Sequence, residues 1–259
     1  MKTRKILFVV EGKSTEPELI DKIYSACFSD EKYEVFPYNT NIHDLVDRIF
    51  VEDEIDEGFD LKLLLYSICK DVSQREILKN EFSDIFLIFD FDPQDNRINF
   101  ERLKKLQEYF YDSTNNGKLY INYPMHEAYK NINRMPDERF IHSTVAEKDI
   151  HDYKKLANSQ TPYYTDISKL DKKTIFGLSA HHLRKFNYLL YTKPSCLILQ
   201  DEITGEELLK LLEIQADNLL VNEKVFIIST LMLHIFEFQP KKILRLLPDV
   251  AGDYYGFDG

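Results

Sequence analysis

The 259-residue sequence predicts an α/β fold, a mainly parallel sheet flanked by helices, followed by a mostly helical C-terminal part. Three observations carry that expectation. Over the first 130 residues, short apolar runs of the kind found in doubly covered strands alternate with segments of helical apolar spacing. Two of those runs end in acids, Glu11 after the first and Asp90 with Asp92 after the strongest. Beyond residue 131 the strand signals stop and helical spacing dominates.

Taken in order, KILFVV (5–10) is the first strand. A helix follows: Thr15 and Glu18 stand at capping-box spacing, Pro17 is tolerated in a first turn, and Leu19, Ile20, Ile23 and Tyr24 share one face. YEVFPYN (33–39) reads as a second strand broken at Pro37, and residues 41–57 as a helix presenting Ile42, Leu45, Val46 and Ile49. LKLLLYSICK (61–70) fits strand or helix and is assigned to a strand, and REILKNEF (75–82) to a short helix. DIFLIFDFDPQD (84–95) is the clearest strand, apolar until acids and Pro93 stop it. NFERLKKLQEYFY (99–111) lines up Phe100, Leu103, Leu106 and Phe110 as a helical stripe. TNNGK (114–118) is a turn, and LYINYP (119–124) a strand entering a helix near Pro124. Residues 134–175 are polar and irregular. GEELLKLLEIQADNLL (205–220), EKVFIISTLMLHIFEF (223–238) and PKKILRLLP (240–248) are expected helices. No repeat or low-complexity linker intervenes, so the expected organisation is an α/β domain over 1–130 with a helical region, 131–259, packed on it.

Hydrophobic residues make up 44% and charged residues 30%, the balance of a globular protein. No apolar run reaches the roughly 18 residues that span a bilayer. The apolar run behind the basic start, about five residues, is too short for a signal peptide, so no membrane association and a cytoplasmic location are expected. Cys27, Cys69 and Cys196 follow no CxxC pattern and read as thiols in a reducing compartment. The net charge of −11 argues against wholesale nonspecific binding of nucleic acid. Its distribution is uneven. Residues 1–130 hold 17 basic and 26 acidic side chains, whereas 134–193 hold 11 and 7 and include His142, His151, His181 and His182. That second segment is either a nucleic-acid surface or a solvated face.

Gly-Lys-Ser in EGKST (11–15) invites a phosphate loop, but the glycine required five residues before Gly12 is Leu7, inside the strand. The acids offer more. Asp90 and Asp92 are two apart and share a face in extended chain, at the strand end where open α/β sheets bind ligands. If Glu11 ends a neighbouring parallel strand, about 5 Å away, three carboxylates meet at one rim. Such oxygen ligands suit Mg²⁺ or Mn²⁺. Asp95 in DPQD reads as a turn residue. Asp90, between Phe89 and Phe91, needs a cation or a strong hydrogen bond to offset its burial.

VVEGKSTE followed by LIFDFD resembles the Toprim fold of topoisomerases, primases and the overcoming-lysogenization-defect and RloB-like nucleases. The match carries Glu11 with Gly12, and Asp90 with Asp92, over about the first 130 residues. EG followed by STE, and the acid-bearing NYPMHEAY (122–129), are similar to the bacterial defence-nuclease branch. The resemblance implies a Mg²⁺- or Mn²⁺-dependent nuclease, a hydrolase cleaving DNA or RNA in phage defence. Glu11 would be general acid/base or metal ligand, and Asp90 and Asp92 would hold the metal. Glu127 is the candidate acid for a second metal, set against the ordinary preference for acids in a first helical turn. Lys13 is a candidate contact to the scissile phosphate, set against an exposed turn lysine. Arg184 and Lys185 in SAHHLRKF are candidate phosphate contacts, set against a surface or core role. Adjacent His181 and His182 do not face one another on a helix and make a poor metal pair. His234 is expected in the core. No tyrosine stands out as a topoisomerase nucleophile and no zinc module marks a primase. With no ATPase domain in the sequence, an ATPase or other defence-system protein would be a separate partner. The alternative is a non-catalytic regulatory protein that binds nucleic acid or a partner. A third reading is a nucleotide phosphotransferase.

Overall fold

The computed structural model describes residues 5–160, 164–196, 202–238, 240, 241 and 243. β1 (Lys5–Val10) leads through α1 (Thr15–Cys27) to β2 (Lys32–Pro37) and α2 (Ile42–Ile49). A hairpin of β3 (Phe50–Val51) and β4 (Glu54–Ile55) precedes α3 (Leu61–Ile68) and α4 (Val72–Leu78). Then come β5 (Asp84–Asp90), α5 (Phe100–Tyr109), β6 (Tyr111–Asp112) and β7 (Gly117–Asn122). The remainder supplies β8 (Thr144–Ala146), α6 (Tyr153–Gln160), α7 (Lys172–Tyr191), α8 (Gly205–Asn222), β9 (Lys224–Phe226) and α9 (Thr230–Leu233).

The five-stranded sheet runs β2-β1-β5-β7-β6, parallel throughout except for the short β6. β1 and β5 are apolar almost without interruption because both of their faces are covered. Phe8, Phe86 and Tyr120 lie on one face, where Phe8 meets Tyr24 of α1 and all three rings meet His234. Connections leave β1 towards β2 and β5 towards β7 in opposite directions, so right-handed crossovers put α1 and α5 on opposite faces. Among the described residues, no helix is long and apolar enough to cross a membrane.

Several sequence expectations are corrected. Residues 61–68 are helix, not strand. Asp60 caps it by accepting from Leu63 N, and only Leu61 and Leu65 are buried, a spacing of four. The helix expected over 41–57 stops at Ile49, where a turn with left-handed Glu52 and Asp53 folds the chain into the β3–β4 hairpin. α1 is capped at Ser14 without a side-chain bond, and Glu16 instead reaches back to Gly12 N. The helix near Pro124 is a 3-10 turn, His126–Lys130. Residues 223–238 do not form one helix. Glu223 adopts a left-handed conformation that ends α8, β9 pairs with β8, and Tyr123 and Ile228 exchange backbone hydrogen bonds before α9 begins. Most of 240–248 lies outside the described residues.

The C-terminal region is built into the sheet. Asn122 at the end of β7 accepts from Ser229 Oγ (3.1 Å) and Leu231 N (3.2 Å). Lys118 of β7 pairs with Glu237 at 2.5 Å, both buried. One continuous apolar core extends from Ile6 to Ile243.

Candidate metal centre at the carboxyl edge of the sheet

Because β1, β5 and β7 are parallel neighbours, their carboxyl ends open on one edge. Strand order reverses between β1 and β5, which leaves a crevice where the two connections diverge. Glu11 is the first residue beyond β1. Its backbone N–H donates to Ile88 O (3.2 Å), and its Oε2 accepts from Asp90 N (3.1 Å). Asp90 ends β5 with 7% of its surface exposed. Phe91 N donates to Asn122 O (3.0 Å), tying this segment to β7. Asp92 has a left-handed φ of 43°, and its carbonyl accepts from His43 Nε2 of α2 (3.1 Å).

The 3-10 turn after β7 adds His126 and Glu127. His126 Nδ1 lies 3.2 Å from Asp90 Oδ2, and Nε2 lies 3.2 Å from Glu127 Oε1. Lys154 of α6 reaches the same Glu127 oxygen at 3.1 Å. Glu16 completes the acid ring, 3.9 Å from His126 Nδ1. Its carboxylate accepts from Gly12 N at 3.0 Å, and a Cβ on Gly12 would stand 2.7 Å from Glu16 Oε2. EGKST is therefore a corner that places Glu11 on the crevice and Glu16 beneath it.

Burial and crowding set the protonation states. Burial, then the charges of Asp90 and Asp92, pushes the Glu11 carboxyl up to about 9. Burial lifts Asp90 to about 6 against the opposing pull of His126, and burial also raises Asp92. At Glu127 burial is outweighed by His126 and Lys154, which bring it down to about 2. At His126 burial is outweighed by Asp90 and Glu127, which hold the imidazole well above its ordinary value. Glu11 therefore carries a proton while His126 is an imidazolium between two carboxylates.

Donor atoms of Asp90, His126 and Glu127 all fall within 4.8 Å of one another, the spacing of a metal's ligands. His126 Nε2 approaches Glu127 closely but makes no hydrogen bond, and neither does Glu127 Oε2, in a residue only 1% exposed. Orphaned buried atoms of this kind cost about 1–3 kcal/mol each. A cation would satisfy Glu127 Oε2 directly, and His126 Nε2 once it displaces the proton of the imidazolium, because a metal binds only the neutral ring. These residues fit a divalent ion.

No family model, curated protein or solved structure matches this chain. The chemistry of the site is the ground for a functional reading.

The structure brings Glu11, Asp90, Asp92 and Glu127 to one edge, as the sequence suggests, but the set that converges is Asp90, His126 and Glu127. Lys13 is exposed beside the crevice. The other substrate candidates lie elsewhere. Lys185 is fully buried, and its Nζ donates to Ser143 O (2.5 Å), Ser143 Oγ (2.8 Å) and Phe140 O (3.1 Å). It spends its ammonium on the fold and cannot touch a substrate phosphate. Arg184, next to it on α7, donates to Pro194 O (3.1 Å). His181 accepts from Asp137 N (2.9 Å) and His182 from Ser229 N (3.0 Å). Burial lowers them to about 4 and about 3, so both are neutral core residues, and neither ring is a metal ligand.

Sequence reasoning missed His126, Glu16 and His43. His126 had a legible signal, a metal-capable side chain beside Glu127 just past a strand, in a segment already noted for its acid. Lys154 had none, because its partner is 27 residues away.

Proposed function

We propose that this protein is a divalent-metal-dependent nuclease with a Toprim-like fold, cleaving phosphodiester bonds in DNA or RNA, and acting in phage defence. The observation that carries this reading is the convergence of Asp90, His126 and Glu127, with orphaned donor atoms, in the switch-point crevice. These three would hold Mg²⁺ or Mn²⁺, with Asp92 at the opening. A bound divalent ion supplies Lewis acidity towards a phosphoryl oxygen. Glu11 is held on the crevice by its bond from the Asp90 N–H, a position that suits it to exchange a proton with the reacting oxygens as general acid/base. Burial of Glu127 and Asp90 excludes water from one wall of the crevice and strengthens each charge there.

A second reading has its own observation. The His126 imidazolium, with Lys154, already neutralises Asp90 and Glu127 without a metal. That favours a non-catalytic regulatory protein that binds nucleic acid or a partner, such as a separate ATPase. Incubating labelled DNA and RNA with Mg²⁺, Mn²⁺ or EDTA, using wild type, Glu11→Ala and Asp90→Ala, separates the two. Cleavage lost in EDTA and in both variants supports the nuclease. Binding in EDTA that survives Asp90→Ala, without cleavage under any condition, supports the regulatory protein.

A further inference from the structure

One strand over from the metal centre, on the same edge of the sheet, lies a cavity of about 440 Å³. Its position is set by the backbone: Tyr38 N donates to Val10 O (2.7 Å) and Asn39 N to Glu11 O (2.9 Å). The rim of the cavity is therefore hydrogen-bonded directly to the residue that starts the crevice. Asn39 takes a left-handed φ of 69° and folds its amide onto Pro37 O (2.9 Å), turning the chain away from the sheet and opening the space. Lys13 lines the cavity from the EGKST corner, Arg48 from α2, and Lys70 from the segment joining α3 and α4.

The charge of this lining is opposite to that of its surroundings. Over residues 1–130 acids exceed bases by nine, yet three cations and one acid, Asp71, face this space. Asp71 is engaged as the cap of α4, accepting from Ser73 N (2.8 Å) and Ser73 Oγ (2.6 Å). Arg48 is fixed by Asp44 through two bonds of 2.6 and 3.1 Å. Lys13 and Lys70 are exposed and make no ion pair among the described residues. Two uncommitted ammonium groups beside an anchored guanidinium suit phosphate oxygens. Phe36, Pro37 and Ile68 give the same space an apolar wall that a sugar or base can cover. The volume falls within the 300–1,000 Å³ range typical of small-ligand sites.

We propose that this cavity seats a phosphate-bearing nucleotide unit, with Lys13 and Lys70 on its phosphate and Lys13 linking the cavity to the metal centre. The identity of that unit as part of a polynucleotide rests on the nuclease reading, and a free nucleotide is the other source of the same chemistry. Through this site a strongly acidic molecule would hold a polyanion beside its own carboxylates.

The test is fluorescence anisotropy of a labelled oligothymidylate in EDTA, with AMP as competitor, across a salt series. Wild type is compared with the Lys13→Gln/Lys70→Gln double variant, its Arg/Arg counterpart and Asp90→Asn. Both lysines are exposed, and thermal melting checks that the variants fold. The expected result is a loss of about tenfold or more in the Gln/Gln variant, with the salt slope reduced by about 1.4 for two lost single-strand contacts. The Arg/Arg variant should recover affinity, and Asp90→Asn should bind at least as tightly as wild type. Competition by AMP in wild type alone assigns the site to free nucleotides, and an oligonucleotide effect that AMP does not share assigns it to a polynucleotide. Unchanged affinity and salt slope in the Gln/Gln variant, or no binding of either probe by wild type, would overturn the proposal. Binding differences that persist without cleavage in Mg²⁺ or Mn²⁺ sink the nuclease reading and leave the cavity standing. Cleavage combined with unaltered binding sinks the cavity alone.

Discussion

Glu11, half-buried, and Glu127, buried, lie at one sheet edge, yet they take opposite charge states because of what faces them. Glu11 faces carboxylates and keeps its proton, whereas Glu127 faces His126 and Lys154 and loses it. For Glu11 the folded value lies above the unfolded one, so folding without metal binds a proton. Its contribution to stability is full below about 4.5 and is lost as pH rises through about 9. His126, also raised, acts in the same direction. Glu127 acts the other way, its contribution being lost only as pH falls from about 4.5 towards 2. Melting curves in EDTA should show stability declining from weakly acidic to alkaline pH, and Glu11→Gln should flatten that decline. A slope unchanged by Glu11→Gln would sink the assignment of that proton. At the proposed metal site, Glu127→Gln should lower Mn²⁺ affinity in calorimetry by at least about tenfold, the smaller end of losses seen even for outer-sphere partners. Asp95→Asn should leave it unchanged, because the Asp95 carboxylate is spent on Arg97 and Asn41.

Among the elements, β1 and β5 were legible in the sequence because a doubly covered parallel strand is apolar at every position. α3 was not, since a short run rich in leucine satisfies either period, and only its half-exposed packing shows which face is buried. β9 was hidden for a different reason. Its apolar composition suits a helix, but its ladder partner is β8, some 80 residues earlier in the chain. The contact between α8 and β6 makes an element-level prediction. A Cβ on Gly205 would lie 2.6 Å from Tyr111 Cβ, 2.7 Å from its carbonyl oxygen and 2.9 Å from its Cα. Gly205→Ala should therefore cost about 1–3 kcal/mol in urea denaturation, as overpacking does. Full stability in this variant would mean that the close approach is relaxed in solution.

At the scale of the whole molecule, the C-terminal region closes one face of the sheet that carries the acids. The His234 ring sits 4.4 Å from Phe86 and 5.0 Å from Phe8, between centroids, and Tyr24 bonds it at 2.9 Å. Asn122, beside Asp90 in the ladder, spends its carbonyl on residues 229–231. A chain ending at residue 130 should consequently fail to fold cooperatively, giving dispersed amide signals only when residues 131–259 are supplied. A sharp melting transition for the fragment alone would contradict this.

The amino-acid sequence by itself determined the α/β alternation, the apolar central strands and the acids at their ends, because period and strand-terminal chemistry are local. It also pointed to Glu127, through its place just beyond a strand. Only the tertiary structure decided which donors converge, that His126 stands between Asp90 and Glu127, and that Lys185 is buried within the fold. It also decided that Lys13 and Lys70 share one cavity. These are relations between residues tens of positions apart. Strand order and packing create them, and no local pattern encodes which distant side chain will be the neighbour.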